Sequence, residues 1–253
     1  MNTDLIKAHL NLYAVLQNLE DLVKLDSEMA RLTRDWNVVI EFAVRGGPTA
    51  NVAFVNGVCK HGVGSHPNPS VKLLFLSPGH LNRMFDGKGT PIPLKGFTRL
   101  GFLQKEFSKL TDRLTHYLKP GSGAMADPHY MKVNTILTLY TAAYAVKELA
   151  LLEPTSHEIA AHTPPGVLQM EILPEGPYVY LTFGKGIVTV QKGVADAPMA
   201  RMAFKDLHVA NALLSGKLDA FLAVAEGEIM LQGQLPMIDN VGLILDRVGL
   251  YLA

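Results

Sequence analysis

The segment from His157 to His162, HEIAAH, has the residue types of a zinc-dependent hydrolase. In such enzymes two histidines bind the zinc ion and the glutamate acts as general base. Both histidines must lie on one face of a helix, which requires a spacing of four residues. Here they are five residues apart, and Pro164-Pro165 follows. The spacing therefore argues against a zinc site.

A second candidate metal site consists of Cys59, His61 and His66. Cys59 and His61 share one face of a predicted strand, because alternate residues of a strand point the same way. Thiolates and imidazoles are zinc ligands, so a metal site is one reading of this pattern. We favour the simpler interpretation, a surface strand followed by loop histidines.

Two Gly-Lys pairs, Gly87-Lys88 and Gly216-Lys217, have the composition of a phosphate-binding loop. Only the first continues to a threonine, Thr90, and it lacks the upstream glycine of a P-loop. We interpret both pairs as structural turns. The sequence also has no Ser-His-Asp pattern with a nucleophile elbow. We therefore predict no catalytic residue, no metal, no cofactor and no enzyme activity.

The elements that position these residues begin with a helix over residues 4–35, where leucines recur at helical spacing. Asn56-Gly57 predicts a tight hairpin turn between two strands. The stretch from Pro120 to Gly123 is typical of a linker. Between the first helix and this linker we predict strands over 38–44, 51–54, 58–63 and 71–76, helices over 78–85 and 102–118, and a Pro-rich connection from Thr90 to Gly96.

The second half begins with a strongly apolar helix from Pro128 to Leu152, which Pro154 ends. The terminal helix is apolar on more than one side, so protein, a partner chain or an apolar ligand could cover its second face. The other predicted elements are strands over 167–172, 178–183, 187–191 and 200–204, a helix over 205–214, and a short helix and a strand before the terminal helix.

The two halves have the same order of elements and align with each other. With a shift of 129 residues, Gly47-Pro48 falls on Gly176-Pro177, and the register holds without a gap over 47–88. At the chain end the shift is 134, which places Asp112-Arg113 on Asp246-Arg247. Glycines and prolines carry much of the match, because backbone geometry dictates these residue types. We interpret this pattern as an internal repeat.

The repeat predicts an α+β fold with two tandem units, each a mostly antiparallel sheet covered by helices. We place the N-terminal unit at residues 1–120 and the C-terminal unit at 121–253, led by the helix over 128–152. In the first unit, residues 89–96 replace most of the helix and strand that the second unit has over Ala220 to Leu231. The N-terminal unit is therefore truncated in this segment.

Residues 165–252 resemble the sterol carrier protein 2 (SCP2) family. The resemblance rests on a hairpin, GPYVYLTFGKGIVTVQKG, a strand and helix, MAFKDLHVANALLSGKLDAF, and the closing EGEIMLQGQL. Through the repeat it extends more weakly to residues 36–118. The positions that match the family's pattern are Gly186, Gly193, Gly216, Lys217, Asp219, Ala223, Gly227 and Gly233.

The resemblance implies an apolar tunnel between sheet and helices that binds a fatty acid, a fatty acyl-CoA or a sterol-like lipid. It also implies that the protein binds or transfers this hydrophobic ligand without catalysis, chiefly in the second unit. Ordinary core packing is the alternative role for each candidate residue. The candidate tunnel lining is Phe204, Leu207, Leu213, Leu214, Phe221, Leu222, Met230, Leu235, Met237, Ile244 and Leu245.

The recurring Asp112-Arg113 and Asp246-Arg247 pairs have four interpretations. They could lie on a solvated face or form an ion pair between helices. They could also form a duplicated contact between the two units, or each arginine could bind a lipid carboxylate or phosphate. The sequence leaves these alternatives open.

Composition limits the remaining function classes. The formal net charge is zero, which gives no electrostatic reason to expect nucleic acid binding. One cysteine excludes an intrachain disulfide, and the N-terminus lacks the basic region of a signal peptide. Apolar runs are too short to predict a transmembrane segment. We expect a cytoplasmic protein with a hydrophobic small molecule or lipid as partner, and a homodimer is possible.

A second function class stays open at this stage. The apolar helix faces could pack on a partner subunit, in which case the protein is an interaction or scaffold module with a vestigial pocket. A large dimer interface over the terminal helix would favour this alternative.

Overall fold

The computed structural model describes residues 3–252, and Met1, Asn2 and Ala253 lie outside the described residues. The chain divides into two compact units, unit 1 over residues 1–121 and unit 2 over residues 122–253. Each unit contains one five-stranded sheet and its own helices. The predicted α+β class is confirmed.

The sheet of unit 1 has one parallel pair of strands and three antiparallel pairs. Its strands are β1 Asn37–Val44, β2 Thr49–Val55, β3 Val58–Val63, β4 Val71–Phe75 and β5 Ile92–Lys95. Their order across the sheet is β3-β2-β1-β4-β5, with β1 and β4 parallel. The sheet is therefore mixed but mostly antiparallel, as the repeat pattern predicted.

The sheet of unit 2 has the same arrangement. Its strands are β6 Gly166–Ile172, β7 Tyr178–Gly184, β8 Ile187–Lys192, β9 Ala200–Phe204 and β10 Ile229–Gly233. Their order is β10-β9-β6-β7-β8, with β6 and β9 parallel. Val71 pairs with Ile40 in unit 1, and Ala200 pairs with Leu168 at the equivalent place in unit 2.

Helices precede and follow each sheet. In unit 1 they are α1 Thr3–Leu10, α2 Leu19–Leu25, α3 Ser27–Thr33, α4 Pro78–Phe85, α5 Leu100–Phe102 and α6 Ser108–Leu118, with π-helical turns over Asn11–Val15 and Leu103–Phe107. In unit 2 they are α7 Pro128–Leu152, α8 Pro154–His162, α9 Leu207–Leu214, α10 Ala220–Ala225 and α11 Leu235–Leu252. Short 3-10 turns complete both sets.

One face of each sheet forms the core of its unit. In unit 1, the rings of Phe42 and Phe75 are stacked, with centroids 6.5 Å apart, and Phe107 packs on Phe42. In unit 2, Val179 and Leu181 of β7 are fully buried, while the residues between them are only half-buried. This alternation is typical of a sheet that packs on helices with one face.

The predicted hairpin turn at Asn56-Gly57 is confirmed. Both residues have positive φ, 49° and 79°, as a two-residue turn with the twist of the strands requires. Lys185 and Gly186 repeat this geometry in unit 2, with φ of 51° and 76°. The turn fixes the register of each hairpin.

Three predictions about individual elements are wrong. The single helix predicted over residues 4–35 is interrupted at Asp26, whose extended backbone separates α2 from α3. The connection predicted from Thr90 to Gly96 contains strand β5, which pairs with β4 in the place that β10 takes beside β9. Pro93 is tolerated there because β5 is an edge strand. Pro154 does end α7, but it also occupies the first turn of α8, a helix that the sequence analysis did not predict.

Helix α7 is long and apolar enough to cross a membrane by length and composition. It instead packs against α8, α9, α11 and β8 of its own unit, and 56% of its most apolar window is buried. Core helices of globular proteins have the same composition. We therefore interpret α7 as the central helix of unit 2.

Gly227, which precedes β10, and Gly233, its last residue, make a matched pair of tests for the pairing of β10 with β9. Both have positive φ, 73° at Gly227 and 83° at Gly233. A Cβ on Gly227 meets no described atom within 4 Å, whereas a Cβ on Gly233 overlaps the carbonyl oxygen of Met199. Gly227→Ala should cost about 1–2 kcal/mol of stability.

Gly233→Ala should cost clearly more than Gly227→Ala, because it also displaces β10 from β9. Urea unfolding followed by far-UV circular dichroism measures both variants. Equal losses of stability in the two variants would show that β10 does not pair with β9 at Gly233.

Candidate functional site

Helix α10 exposes nearly all of its apolar side chains. Phe221 is 89% exposed, Leu222 53% and Val224 38%, and of the six residues only Ala223 is buried. Asp219 starts the helix by accepting a hydrogen bond from the backbone N–H of Leu222. Exposed apolar groups this close together usually mark a site of interaction.

Helix α11 is packed less tightly than its counterpart in unit 1. In α6, Leu114 is 5% exposed and Tyr117 1%. The positions 134 residues later, Val248 and Tyr251, are half-exposed. The last turns of α11 thus leave apolar surface open at positions where unit 1 is closed.

Helices α9 and α11 border the same part of unit 2. Both pack on α7 and on β9, and α11 also touches β10. Asn211 fixes α9 to α7 by donating hydrogen bonds to Asn134 Oδ1 at 2.7 Å and to Thr135 Oγ1 at 2.9 Å. Beside these contacts, Leu207, Leu213 and Leu214 of α9 and Leu245 of α11 are half-buried.

The predicted lining residues fall into three groups. They all belong to β9, β10, α9, α10 or α11, which adjoin one another. Phe204, Met237 and Ile244 are buried, Leu207, Leu213, Leu214 and Leu245 are half-buried, and Phe221, Leu222, Met230 and Leu235 are exposed. Their assignment as a ligand site stays a prediction.

A separate surface pocket of about 230 Å³ lies where β9 meets β10. It is lined by Pro198, Met199, Ala200, Arg201, Gln232 and Gly233, none of which is a predicted lining residue. Its volume is below the range of roughly 300–1,000 Å³ that is usual for small-molecule sites. We do not assign the lipid site to this pocket.

Arg247 of α11 forms an ion pair with Glu153. Its Nε donates to Oε2 at 2.8 Å and its Nη2 donates to Oε1 at 2.7 Å, a bidentate geometry. Glu153 also caps α8, since its Oε2 accepts from the backbone N–H of Ser156 at 2.7 Å. Burial alone would raise the pKa of Glu153, but the hydrogen bonds from Arg247 and Ser156 outweigh it and lower this pKa to about 2.

Arg113 makes the equivalent ion pair in unit 1. Its Nε donates to Asp26 Oδ2 at 2.6 Å, and Tyr117 donates to the same oxygen at 2.9 Å. Asp26 caps α3 through the backbone N–H groups of Glu28 and Met29. Burial opposes ionisation of Asp26, but these hydrogen bonds outweigh it and lower its pKa. Burial and the bond to Asp26 raise the pKa of Tyr117 to about 12.

The geometry decides among the four interpretations of the recurring Asp-Arg pairs. Each arginine forms an ion pair with a buried carboxylate of its own unit, so the interpretation as an inter-helix ion pair is confirmed. The partner is the cap residue Asp26 or Glu153, whereas the neighbouring Asp112 and Asp246 are exposed. Because these carboxylates occupy both arginines, a lipid head group has no unpaired guanidinium to bind there.

The histidines and the cysteine considered as metal ligands have other partners. Cys59 is buried and faces the core. His61 Nε2 lies 2.8 Å from the carbonyl oxygen of Leu12, and His66 Nδ1 accepts from the backbone N–H of Asn68. Within residues 3–252, no group of three or more His, Cys, Asp or Glu side chains could hold a metal ion.

Several solved structures of SCP2 domains are similar to this chain. A palmitated SCP2-like 2 protein from Aedes aegypti is 19% identical, over 41% of this chain and 90% of that one, with a TM-score of 0.32. The sterol carrier protein domain 2 of Helicoverpa armigera is 14% identical, over 46% and 91%, with a TM-score of 0.35. Sterol carrier protein 2 from Yarrowia lipolytica, in its apo form, is 12% identical, over 47% and 97%, with a TM-score of 0.30.

These structures belong to the family that the sequence resembles. Each comparison covers less than half of this chain, and each sequence identity is below 20%. No protein-family model matches the sequence, and no curated protein is similar enough to count as a match.

Sequence reasoning missed the polar residues that hold the helices in place. Asn82 and Asn211 align at the shift of 129, and each bonds to the leading helix of its unit, Asn82 to Asn11 and Asn211 to Asn134. The repeat alignment contained this signal. Glu153 and Asp26 differ in type and align at another shift, so the alignment gave no comparable sign of their shared role.

The ion pair of Glu153 predicts a specific dependence of stability on pH. The pKa of this carboxylate is about 2 in the folded protein against an ordinary value of 4.5. The stabilisation is therefore present above pH 4.5 and is lost as the pH falls from there towards 2. The variant Glu153→Gln has no carboxylate to protonate, so its stability should fall less over this range than that of the wild type.

Glu158→Gln provides the control, because Glu158 is an exposed residue of the same helix. Urea midpoints measured at pH 7 and at pH 3 for the three proteins test the prediction. Parallel pH profiles for wild type and Glu153→Gln would contradict it.

Proposed function

We propose that the protein binds a hydrophobic ligand, such as a fatty acyl chain or a sterol-like lipid, in unit 2 and does so without catalysis. The observation that carries this proposal is the difference between the closing segments of the two units. Leu114 and Tyr117 are buried in α6, while Val248 and Tyr251 of α11 are half-exposed. Unit 2 also has α10, which is apolar and exposed.

Burial of an alkyl chain can supply the required affinity without a dedicated polar site. A chain of about 16 carbons at roughly 0.8 kcal/mol per CH₂ contributes on the order of 12 kcal/mol before costs. Lost freedom of ligand and protein removes several kcal/mol of this, which leaves micromolar affinity within reach. The half-buried leucines of α9 and α11 are the surface that such a chain would cover.

The polar chemistry of the site supports binding rather than a reaction. Glu153, whose pKa is lowered in unit 2, is bound to Arg247 and serves to hold α8 and α11 together. A transferred lipid would have to be bound and released unchanged. The palmitated SCP2-like protein from Aedes aegypti makes an acyl chain the first ligand to test.

We also propose that the two units arose by duplication of one ancestral unit. Both sheets have the same strand order, the same parallel pair and hairpin turns of the same geometry. The recurrent ion pair adds a side-chain interaction that topology alone does not require. Under this proposal the closing segments of the two units diverged after the duplication, and unit 2 is the unit that chiefly binds the apolar ligand.

The alternative is an interaction module in which α10 and α11 pack on a partner protein. The same exposed side chains, from Phe221 to Leu250, would form that interface. It makes a different prediction, because the apolar surface would then be covered in the assembled protein and would take up no lipid.

Native mass spectrometry of freshly purified protein, followed by organic extraction, tests the proposal. We expect a lipid adduct that is lost on denaturation, and uptake of a fluorescently labelled C16 fatty acid or a fluorescent sterol at micromolar affinity. Phe221→Ser should weaken this uptake roughly tenfold, because Phe221 is a large apolar group of α10. Phe97→Ser, the same change at an exposed position of unit 1, should leave uptake unchanged.

A clean apo mass together with no uptake of either probe would overturn the proposal. An oligomer mass in that spectrum would favour the interaction module. Equal loss of uptake in both variants would mean that α10 is not part of the site.

A further inference from the structure

The neutral charge of the chain conceals a strong asymmetry between its units. Unit 1 has fifteen Lys and Arg residues against ten Asp and Glu, a net charge of +5. Unit 2 has eight against thirteen, a net charge of −5. Partners of opposite charge are therefore expected for the two units.

The positive charge of unit 1 is concentrated in the segment over residues 83–105. It contains five basic residues, all exposed, and a single acidic residue, Asp86. Asp86 lies 3.3 Å from Lys7, so its charge is already balanced. Among the described residues, no carboxylate forms an ion pair with a base of this segment. The bases are Arg83, Lys88, Lys95, Arg99 and Lys105.

The same segment exposes large apolar side chains. Ile92 is 39% exposed, Leu94 48% and Phe97 63%. Ile92 and Leu94 both belong to the edge strand β5, whose pairing with β4 shifts register beside Leu94. Phe97 follows at the turn that Gly96 makes with a φ of 85°. The same segment of the chain thus carries three exposed apolar side chains and five exposed basic side chains.

The equivalent part of unit 2 has the opposite charge. Residues 216–239 contain one basic residue, Lys217, against the four acidic residues Asp219, Glu226, Glu228 and Asp239. Both units expose apolar groups here, but only in unit 1 does the same segment also carry several exposed cations. This contrast assigns the two surfaces to different partners.

We propose that the surface formed by residues 83–105, the cationic edge, docks the protein on an anionic lipid bilayer. Lysine and arginine side chains attract anionic head groups, and Phe97, Leu94 and Ile92 enter the interface between head groups and acyl chains. The positive charge of the cationic edge favours an anionic surface, and the acyl chains of a bilayer can contact the aliphatic side chains of Ile92 and Leu94. A nucleic acid would satisfy the cations but would offer nothing apolar to Ile92 and Leu94.

The proposal does not depend on the ligand site of unit 2. A protein that docks on membranes and binds no ligand would still satisfy it. If both proposals hold, docking would bring the ligand site to the membrane from which lipid is taken or to which it is given.

Sedimentation with vesicles tests the cationic edge. We expect the full-length protein to bind vesicles of phosphatidylcholine mixed with phosphatidylglycerol, to bind phosphatidylcholine alone far more weakly, and to lose binding as salt is raised. The triple variant Lys88→Gln, Arg99→Gln, Lys105→Gln should bind the mixed vesicles at least roughly tenfold more weakly than the wild type does. Phe97→Ser should weaken binding while keeping its salt dependence.

Two controls separate the cationic edge from general effects. The triple variant Lys24→Gln, Lys60→Gln, Lys119→Gln removes the same charge from exposed positions of unit 1 outside the segment and should bind as the wild type does. Ile187→Ser, which removes an exposed apolar side chain outside both proposed sites, should also bind normally. Far-UV circular dichroism and a thermal melt show whether each variant is folded.

Three results would overturn the proposal. The first is equal binding to neutral and mixed vesicles. The second is equal loss of binding in both triple variants, or a loss in Ile187→Ser but not in Phe97→Ser. The third is capture of a short oligonucleotide by the cationic edge with no vesicle binding, which would identify a nucleic acid partner instead.

Discussion

In each unit a buried carboxylate performs two tasks that fix the helices. Asp26 and Glu153 cap the helix that follows them and bind an arginine from the closing helix of the same unit. A carboxylate removed from water at this depth requires both kinds of partner, because an unpaired buried charge is strongly destabilising. One carboxylate thus stabilises both the helix that it caps and the closing helix of the same unit.

Around this shared constraint the two units differ at one place in the chain. Unit 1 closes with a well-packed α6 and a short edge strand, β5, beside exposed cations. Unit 2 inserts α10, leaves the end of α11 partly open and carries acidic residues instead. Since the ion pair holds the closing helix in both cases, this segment could change without loss of the fold.

The functional proposals follow from what this difference leaves exposed. Exposure of apolar surface to water costs free energy. Large exposed apolar patches are therefore usually covered by a ligand, a partner protein or a membrane when the protein functions. In unit 2 the half-buried leucines suit a ligand held mainly by apolar burial. In unit 1 the same kind of surface lies among lysines and arginines, which suits a membrane with anionic lipids. One fold thus offers two different apolar surfaces.

The sequence by itself determined the elements with strong local signals. The helix from Pro128 to Leu152, the Asn56-Gly57 turn and the shared order of elements depend on periodicity and on residues with restricted backbone geometry. The resemblance to the SCP2 family came from the same kind of positions. These features could be predicted because neighbours along the chain decide them.

Only the tertiary structure decided which side chains meet across long separations. Asp26 and Arg113 are 87 residues apart, and Glu153 and Arg247 are 94 apart. No local pattern marks such a pair, and burial of a carboxylate depends on everything packed around it. The exposure of α10 was equally hidden, because an apolar hexapeptide is usually core. Tertiary packing decided that Phe221 faces solvent while Phe204 is buried, although the two have the same side chain.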